Sequence, residues 1–199
     1  MMVRPAKSED ATAVAVLVDS AAGGMFKAMV GDLSVLAEAS LTPGHQLSLE
    51  HAVVAVDGDQ LLGAASAMTG VEARADSSQA LAAAAGWRSV RMMVVSGLFR
   101  PILRFMDRHH DDEFYLMAIA VKPEARNSGV GSLLLADVEQ RAAAAGSAHI
   151  ALDVDANNSD AKRLYSRKGF RQVAVSSRAW LGGGAQVERW ARPLAASDD

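Results

Sequence analysis

The chain has 199 residues, a net charge of −3 and no cysteine, and half of its residues are hydrophobic. That length suits one folded domain with a core of its own, and the composition excludes a disordered chain. The lack of cysteine excludes disulfides, thiolate metal sites and cysteine nucleophiles, and the mild negative charge argues against a nucleic-acid partner. Residues 1–20 mix Arg4, Lys7, Glu9 and Asp10 among apolar positions, so no signal peptide is visible and the cytoplasm is the expected location.

Residues 3–6 read as an edge strand, where Pro5 is tolerated. A helix follows, with Ser8 as candidate N-cap, Glu9 and Asp10 in its first turn, a stripe of Val14, Leu17, Val18 and Ala21, and Gly23-Gly24 as its stop. Met25, Phe26, Met29, Val30, Leu33 and Leu36 suggest a second helix before the Thr42-Pro43-Gly44 turn. Residues 51–56 and 60–68 read as strands joined through Asp57-Gly58-Asp59, a hairpin signal. Residues 70–85 are alanine-rich and polar, expected as loop and helix. Trp87, Val90, Val94, Leu98, Ile102 and Phe105 then recur every three or four residues, a helical stripe that Gly97 and Pro101 are expected to bend or break. Arg88, Arg91, Arg100 and Arg104 interrupt it and exclude a membrane span. Arg100, Arg104 and Arg108 share one face of such a helix, read first as solvated, with a patch for an acidic substrate or a membrane surface as alternatives.

The most informative stretch comes next. Phe114-Tyr115-Leu116-Met117-Ala118-Ile119-Ala120-Val121 is a nearly unbroken apolar run, as expected of a strand buried on both faces. Lys122-Pro123-Glu124-Ala125 ends it, Arg126-Asn127-Ser128-Gly129-Val130-Gly131 follows, and from Ser132 the period becomes helical. Val130, Leu134, Val138 and Ala142 form the stripe, Leu133 and Leu135 widen it, and Gly146 is the stop. The first amides of a helix lack intrahelical partners and lie at the positive end of its dipole, so they make an anion site for a phosphate. Gly129 and Gly131 let the backbone come close and take positive φ where the turn needs it; a plain chain turn is the other reading of the pair. A P-loop would need Lys then Ser or Thr where Ser132-Leu133 stand, and a dinucleotide fingerprint a small residue in place of Leu134. Residues 149–154 read as a strand, 160–168 as a short helix ended by Gly169, 170–176 as a strand, Gly182-Gly183-Gly184 as a turn, and 187–191 as a last strand before Pro193 and a polar tail. No repeat or linker divides the chain.

Val121-x-Pro123-x-x-Arg126-x-x-Gly129-x-Gly131 resembles the acyl-CoA-binding motif of the GNAT superfamily of N-acyltransferases. Downstream, Asn158-Ser159-Asp160-Ala161-Lys162-Arg163-Leu164-Tyr165-Ser166-Arg167-Lys168-Gly169-Phe170 resembles that family's Asn-x-x-Ala-x-x-Leu-Tyr-x-x-x-Gly-Phe block. Asn127 departs from the pattern, since many members have Gly there. The resemblance implies an α/β fold of the α+β type: a mixed, mainly antiparallel sheet flanked by helices, whose splayed central strands form the acyl-CoA cleft. It implies one such domain over residues 1–199; the stretch around 70–112 reads as material of this chain's own, a helical insertion or cap expected to cover the acceptor side. The coenzyme-binding residues it implies are Ile119, Ala120, Val121, Arg126, Asn127, Ser128, Gly129, Val130, Gly131, Ser132, Asn158 and Tyr165, with further main-chain groups in 155–158. Acetyl-CoA is then the co-substrate, no metal is called for, the acceptor is a small-molecule amine, and a homodimer is typical of the family.

Amide formation needs a neutral amine, a group to take its proton, and a stabilised or protonated leaving thiolate. By resemblance Tyr165 serves the leaving sulfur, its phenol donating without ionising near neutral pH; packing is the alternative. Asn158 resembles a residue that holds or positions the coenzyme, with helix capping as the alternative. Glu113 resembles the general-base glutamate of the histone-acetylating branch, and Asp111 and Asp112 are expected to raise its proton affinity by like-charge repulsion; a solvated turn is the alternative. His109 and His110 have better-suited intrinsic acidity, with an exposed loop as their expected setting, and a water relay stays open. Direct attack in a ternary complex fits the lack of an activated Ser or Cys. The alternatives carried are a protein or peptide N-terminal acetyltransferase and a non-catalytic acyl-CoA-binding module.

Overall fold

The computed structural model describes residues 1–75, 77–178 and 186–194. Strand β1 (Met2–Pro5) leads through a 3-10 turn at Ser8–Asp10 into α1 (Ala11–Ala21). Ser8 starts that turn and caps nothing. The Asp10 carboxylate fixes the entry instead, accepting from Lys7 N at 2.8 Å and from the Arg4 guanidinium at 2.7 Å. The single helix expected over 25–36 is two, α2 (Met25–Val30) and α3 (Leu33–Ser40). Gly31 turns the chain at φ 82°, and Asp32 caps α3 by accepting from Ser34 N at 3.0 Å.

Strands β2 (Ala52–Asp57) and β3 (Gln60–Thr69) form the expected hairpin, with Asp57 opposite Gln60. Helices α4 (Gly70–Ala73), α5 (Ser78–Ala85) and α6 (Ser89–Met106) fill the next stretch. Of the bend or break expected at Gly97 and Pro101, no break occurs; Pro101 lies on an exposed position of a continuous helix. The expected stripe is also only partly inward: Ile102 is buried, whereas Trp87 and Val94 are 84% and 61% exposed. Val90 and Leu98 lie outside the described side chains. Arg108 falls beyond the end of α6 and so off its face, while Arg100 and Arg104 are exposed.

Strand β4 (Glu113–Val121), α7 (Val130–Ala144), β5 (His149–Asp155), α8 (Ser159–Arg167), β6 (Arg171–Val175) and β7 (Val187–Pro193) complete the chain. The last strand runs on to Pro193, which pairs with His149 at the strand end, where proline is tolerated. The Gly182–Gly184 turn and the tail after Leu194 lie outside the described residues.

The seven strands form one sheet in the order β1-β2-β3-β4-β5-β7-β6, antiparallel throughout except for the parallel pair β4 and β5. Helices cover both faces, as β2 shows residue by residue: Val54 and Val56 pack among residues of α1 and α3, while Val53 and Ala55 pack with α7. The α7 stripe of Val130, Leu134, Val138 and Ala142 is fully buried against that second face. No described helix is long and apolar enough to cross a membrane.

One interruption in the sheet positions the site. Pairing of β4 with β5 runs from Glu113↔His149 to Leu116↔Leu152 and stops, although both strands continue. Beyond that point β4 pairs only with β3, as in Ala120↔Ala64, and β5 only with β7. The strands therefore part after Leu116. Burial on both faces, expected for the whole of 114–121, holds for Phe114 to Leu116, whereas Ile119, Ala120 and Val121 are half-buried because no β5 backbone covers that side.

Candidate active site

The β4–α7 turn lies where the strands part. Gly129, at φ 89°, is the residue before α7, and the first backbone bond onto it runs from Leu133 N to Gly129 O at 3.0 Å. The amides of Val130, Gly131 and Ser132 are thus free of intrahelical acceptors and sit at the positive end of the helix. Asn127 takes φ 62°, a left-handed conformation that asparagine tolerates better than most residues, so the departure from glycine leaves the turn intact. Gly131 is helical without positive φ, and its missing β-carbon keeps the approach to the amides open. The Ser128 hydroxyl is committed, donating to Ala125 O at 2.6 Å. Val130 is fully buried, so only its amide faces a ligand.

A groove of about 700 Å³ runs over this turn, with Val121, Arg126, Asn127, Gly129, Gly131 and Ser132 on one wall and Asp160, Arg163 and Arg167 of α8 on the other. Uncommitted amides and three guanidinium groups fit a diphosphate, and the parted strands offer main-chain groups of Ile119 to Val121 to an extended arm. The residues present fit acyl-CoA. Asn158 caps α8, accepting from Ala161 N at 3.0 Å, so its oxygen is engaged in the structural role.

Tyr165 is 6% exposed and packs tilted on Phe170 at 5.7 Å between ring centroids. It does not line the groove, and its hydroxyl makes no hydrogen bond among the described residues. Burial pushes its acidity well below that of a free phenol, which keeps it protonated and able to donate.

On the other face of the sheet, two apolar cavities of about 250 and 230 Å³ share walls at Met25, Phe26, Met106 and Met117. The first reaches Ala118, Asp153 and Val154, beside the point where β4 and β5 part; the second reaches Leu81, Met92, Leu103, His109 and Tyr115. Helices α2 and α6 line both and α5 lines the second, so part of the 70–112 stretch walls them.

Behind the cavities lies a buried network that sequence reasoning missed. Arg189 on β7 stands opposite Asp153 on β5 and binds it through two nitrogens at 3.0 and 2.7 Å. Tyr115 donates to the same carboxylate at 3.0 Å. Arg189 also donates to the carbonyls of Met106 and Arg108, tying the end of α6 to the sheet. The signal in sequence is weak, since β5 also carries Asp155 and β7 also carries Glu188 and Arg192; burial of both side chains is what makes Asp153 and Arg189 demand a partner.

Glu113 is 1% exposed, lines neither groove nor cavities, and holds His109 Nδ1 at 2.8 Å. The expected upward shift is overturned. Burial does push its carboxyl up, but the His109 hydrogen bond and the charge of Arg189 outweigh it and leave it below the usual glutamate range. Asp111 points away, paired with Arg74. His109 is not on an exposed loop: its side chain is 2% exposed, packed at 4.3 Å on the Tyr115 ring, while His110 is exposed.

Comparison with known proteins agrees with this geometry. Residues 38–170 match the model of the acetyltransferase (GNAT) family. No curated protein matches the chain. Among solved structures, it is similar to an acetyltransferase at 22% identity and TM-score 0.67, covering 98% of this chain and 100% of that one. It is similar to an N-acetyltransferase from Staphylococcus aureus Mu50 (17%, TM-score 0.66, 96% and 100%) and to the ribosomal-protein-S18-alanine N-acetyltransferase from Escherichia coli (16%, TM-score 0.59, 100% and 97%).

Proposed function

The chain belongs to the acetyltransferase (GNAT) family, and on that premise we propose that it moves an acetyl group from acetyl-CoA to a primary amine of a small molecule by direct attack in a ternary complex. The observation that carries this reading is the meeting, at one gap in the sheet, of a helix start with uncommitted amides on one face and apolar cavities on the other. Bound there, the coenzyme supplies an activated thioester carbonyl. The amides of Val130 to Ser132 with Arg126, Arg163 and Arg167 hold its phosphates. The half-buried β4 edge from Ile119 to Val121 aligns its arm, and the Tyr165 hydroxyl, without a hydrogen-bond partner among the described residues, protonates the departing sulfur. The apolar walls that α2, α5 and α6 give the second cavity support a small acceptor over an extended peptide.

Calorimetric titration with acetyl-CoA, followed on the same sample by a free-thiol release assay over an amine panel, tests the reading. Binding with release on an amine is expected. Tight binding with no release on any amine would leave a coenzyme sensor in its place.

A further inference from the structure

The polar groups of the acceptor side are few, and one of them is poised for chemistry. Of nine methionines in the chain, Met25, Met29, Met92, Met106 and Met117 line the 230 Å³ cavity together with other apolar side chains. That volume is below the roughly 300–1,000 Å³ of drug-sized ligand sites. Asp107 is the one carboxylate among the described residues that line the cavity, so a polycation placed there would lose its hydration with too few counter-charges to replace it. His109 also lines this cavity. Its Nδ1 is held by the buried Glu113 carboxylate at 2.8 Å, while Nε2 has no hydrogen-bond partner among the described residues. A carboxylate behind an imidazole fixes the tautomer and stabilises the imidazolium that forms when the outer nitrogen takes a proton.

Resting on the acetyltransfer reading, we propose that the methionine-lined cavity is the acceptor site for a compact primary amine with an apolar body, and that His109 Nε2 takes the proton of that amine. As nitrogen bonds to the carbonyl carbon and the carbon–sulfur bond breaks, one proton passes from nitrogen to Nε2 and Tyr165 gives one to the leaving sulfur; Nε2 then loses its proton to solvent and Tyr165 regains one from it, and an acceptor entering as ammonium releases a further proton to solvent. Glu113 is then a positioning residue. The charged and titratable groups around His109 are Glu113 on β4; His149 on β5, 3.7 Å from Glu113, with Asp112 beside it; Asp153 on β5 and Arg189 on β7 behind the Tyr115 ring; and Asp107 in the cavity wall after α6. Arg74, bonded to the His109 carbonyl and paired with Asp111, lies on the solvent side.

The test compares the full chain with His109→Gln, Glu113→Gln and Leu103→Trp, measuring acetyl-CoA affinity by calorimetry and thiol release with 2-phenylethylamine, isopentylamine, spermidine and kanamycin. Preference for the two apolar amines is expected. Leu103→Trp, which fills the cavity, should raise their KM at least tenfold with acetyl-CoA affinity unchanged. His109→Gln should lower kcat/KM about a hundredfold and remove the acidic limb of its pH profile, again with coenzyme affinity unchanged, which shows that the variant is folded. Glu113→Gln should shift that limb to lower pH rather than remove it, because the imidazolium loses its counter-charge. Preference for spermidine or kanamycin, or an unaltered KM in Leu103→Trp, would overturn the acceptor assignment alone. An acidic limb surviving in His109→Gln would overturn the proton acceptor. Bound acetyl-CoA without release on any amine would instead bring down the acetyltransfer reading itself.

Discussion

The groove and the cavities lie on opposite faces of the sheet, around the same gap, and are made of different material. The groove presents main chain: amides at the start of α7, a left-handed Gly129 and a strand edge, with exposed arginines around them. The cavities present side chains, backed by a dry network in which Arg189, Asp153, Tyr115, Glu113 and His109 each depend on another. Main-chain donors are supplied by geometry and tolerate many sequences, whereas a buried charge tolerates only its partner. A coenzyme shared by a family suits the first arrangement, and an acceptor peculiar to one member suits the second.

Removing Asp153 should break this contrast most severely. Asp153→Ala strands Arg189 in a side-chain environment only 9% exposed, a loss of about 3–5 kcal/mol of stability by chemical denaturation. Acetyl-CoA affinity of the folded fraction should survive, since the groove is elsewhere; joint loss of both would mean that the two regions are one unit. Tyr165→Phe sharpens the division differently. Turnover should fall about tenfold or more with coenzyme affinity intact, and unchanged turnover would reduce Tyr165 to its packing on Phe170.

The converse variant is Gly129→Val. A branched side chain at φ 89° costs about 1–2 kcal/mol, and acetyl-CoA affinity should drop while the cavity side keeps its stability. Asn158→Ala removes the α8 cap and should cost about 1 kcal/mol; a larger loss of acetyl-CoA affinity than of stability would give that residue a coenzyme role as well. The smallest effect expected is in pH. Because Glu113 is held below its ordinary value of 4.5, its contribution to stability is present above about pH 4.5 and is lost as the pH falls through its lower folded value. Glu113→Gln should flatten the stability curve in that acidic range.

The α7 stripe, the Gly129 turn and the Asp57–Gln60 hairpin were legible because each is written in neighbouring residues: a period of four, a helix start, a two-residue loop. Gly31 was passed over as a helix break because the apolar period ran on through it, and of the bend or break expected at Gly97 and Pro101, the break is not made. Glu113 was placed at the start of β4, but its acidity was misjudged from Asp111 and Asp112, its neighbours in sequence. In space it answers to His109 and Arg189.

By itself, then, the sequence determined the order of elements, the glycine turn that opens α7 and the family motifs at 121–131 and 158–170, all properties of short segments. Tertiary structure decided where β4 parts from β5, which face of α6 turns inward, and that Asp153 meets Arg189 across 36 residues of chain. It also decided that Gly70, whose β-carbon would lie 1.9 Å from the His110 carbonyl oxygen, holds the loop that carries His109 against the sheet. Those outcomes depend on strand register and on burial, and both are fixed only when distant segments exclude water together.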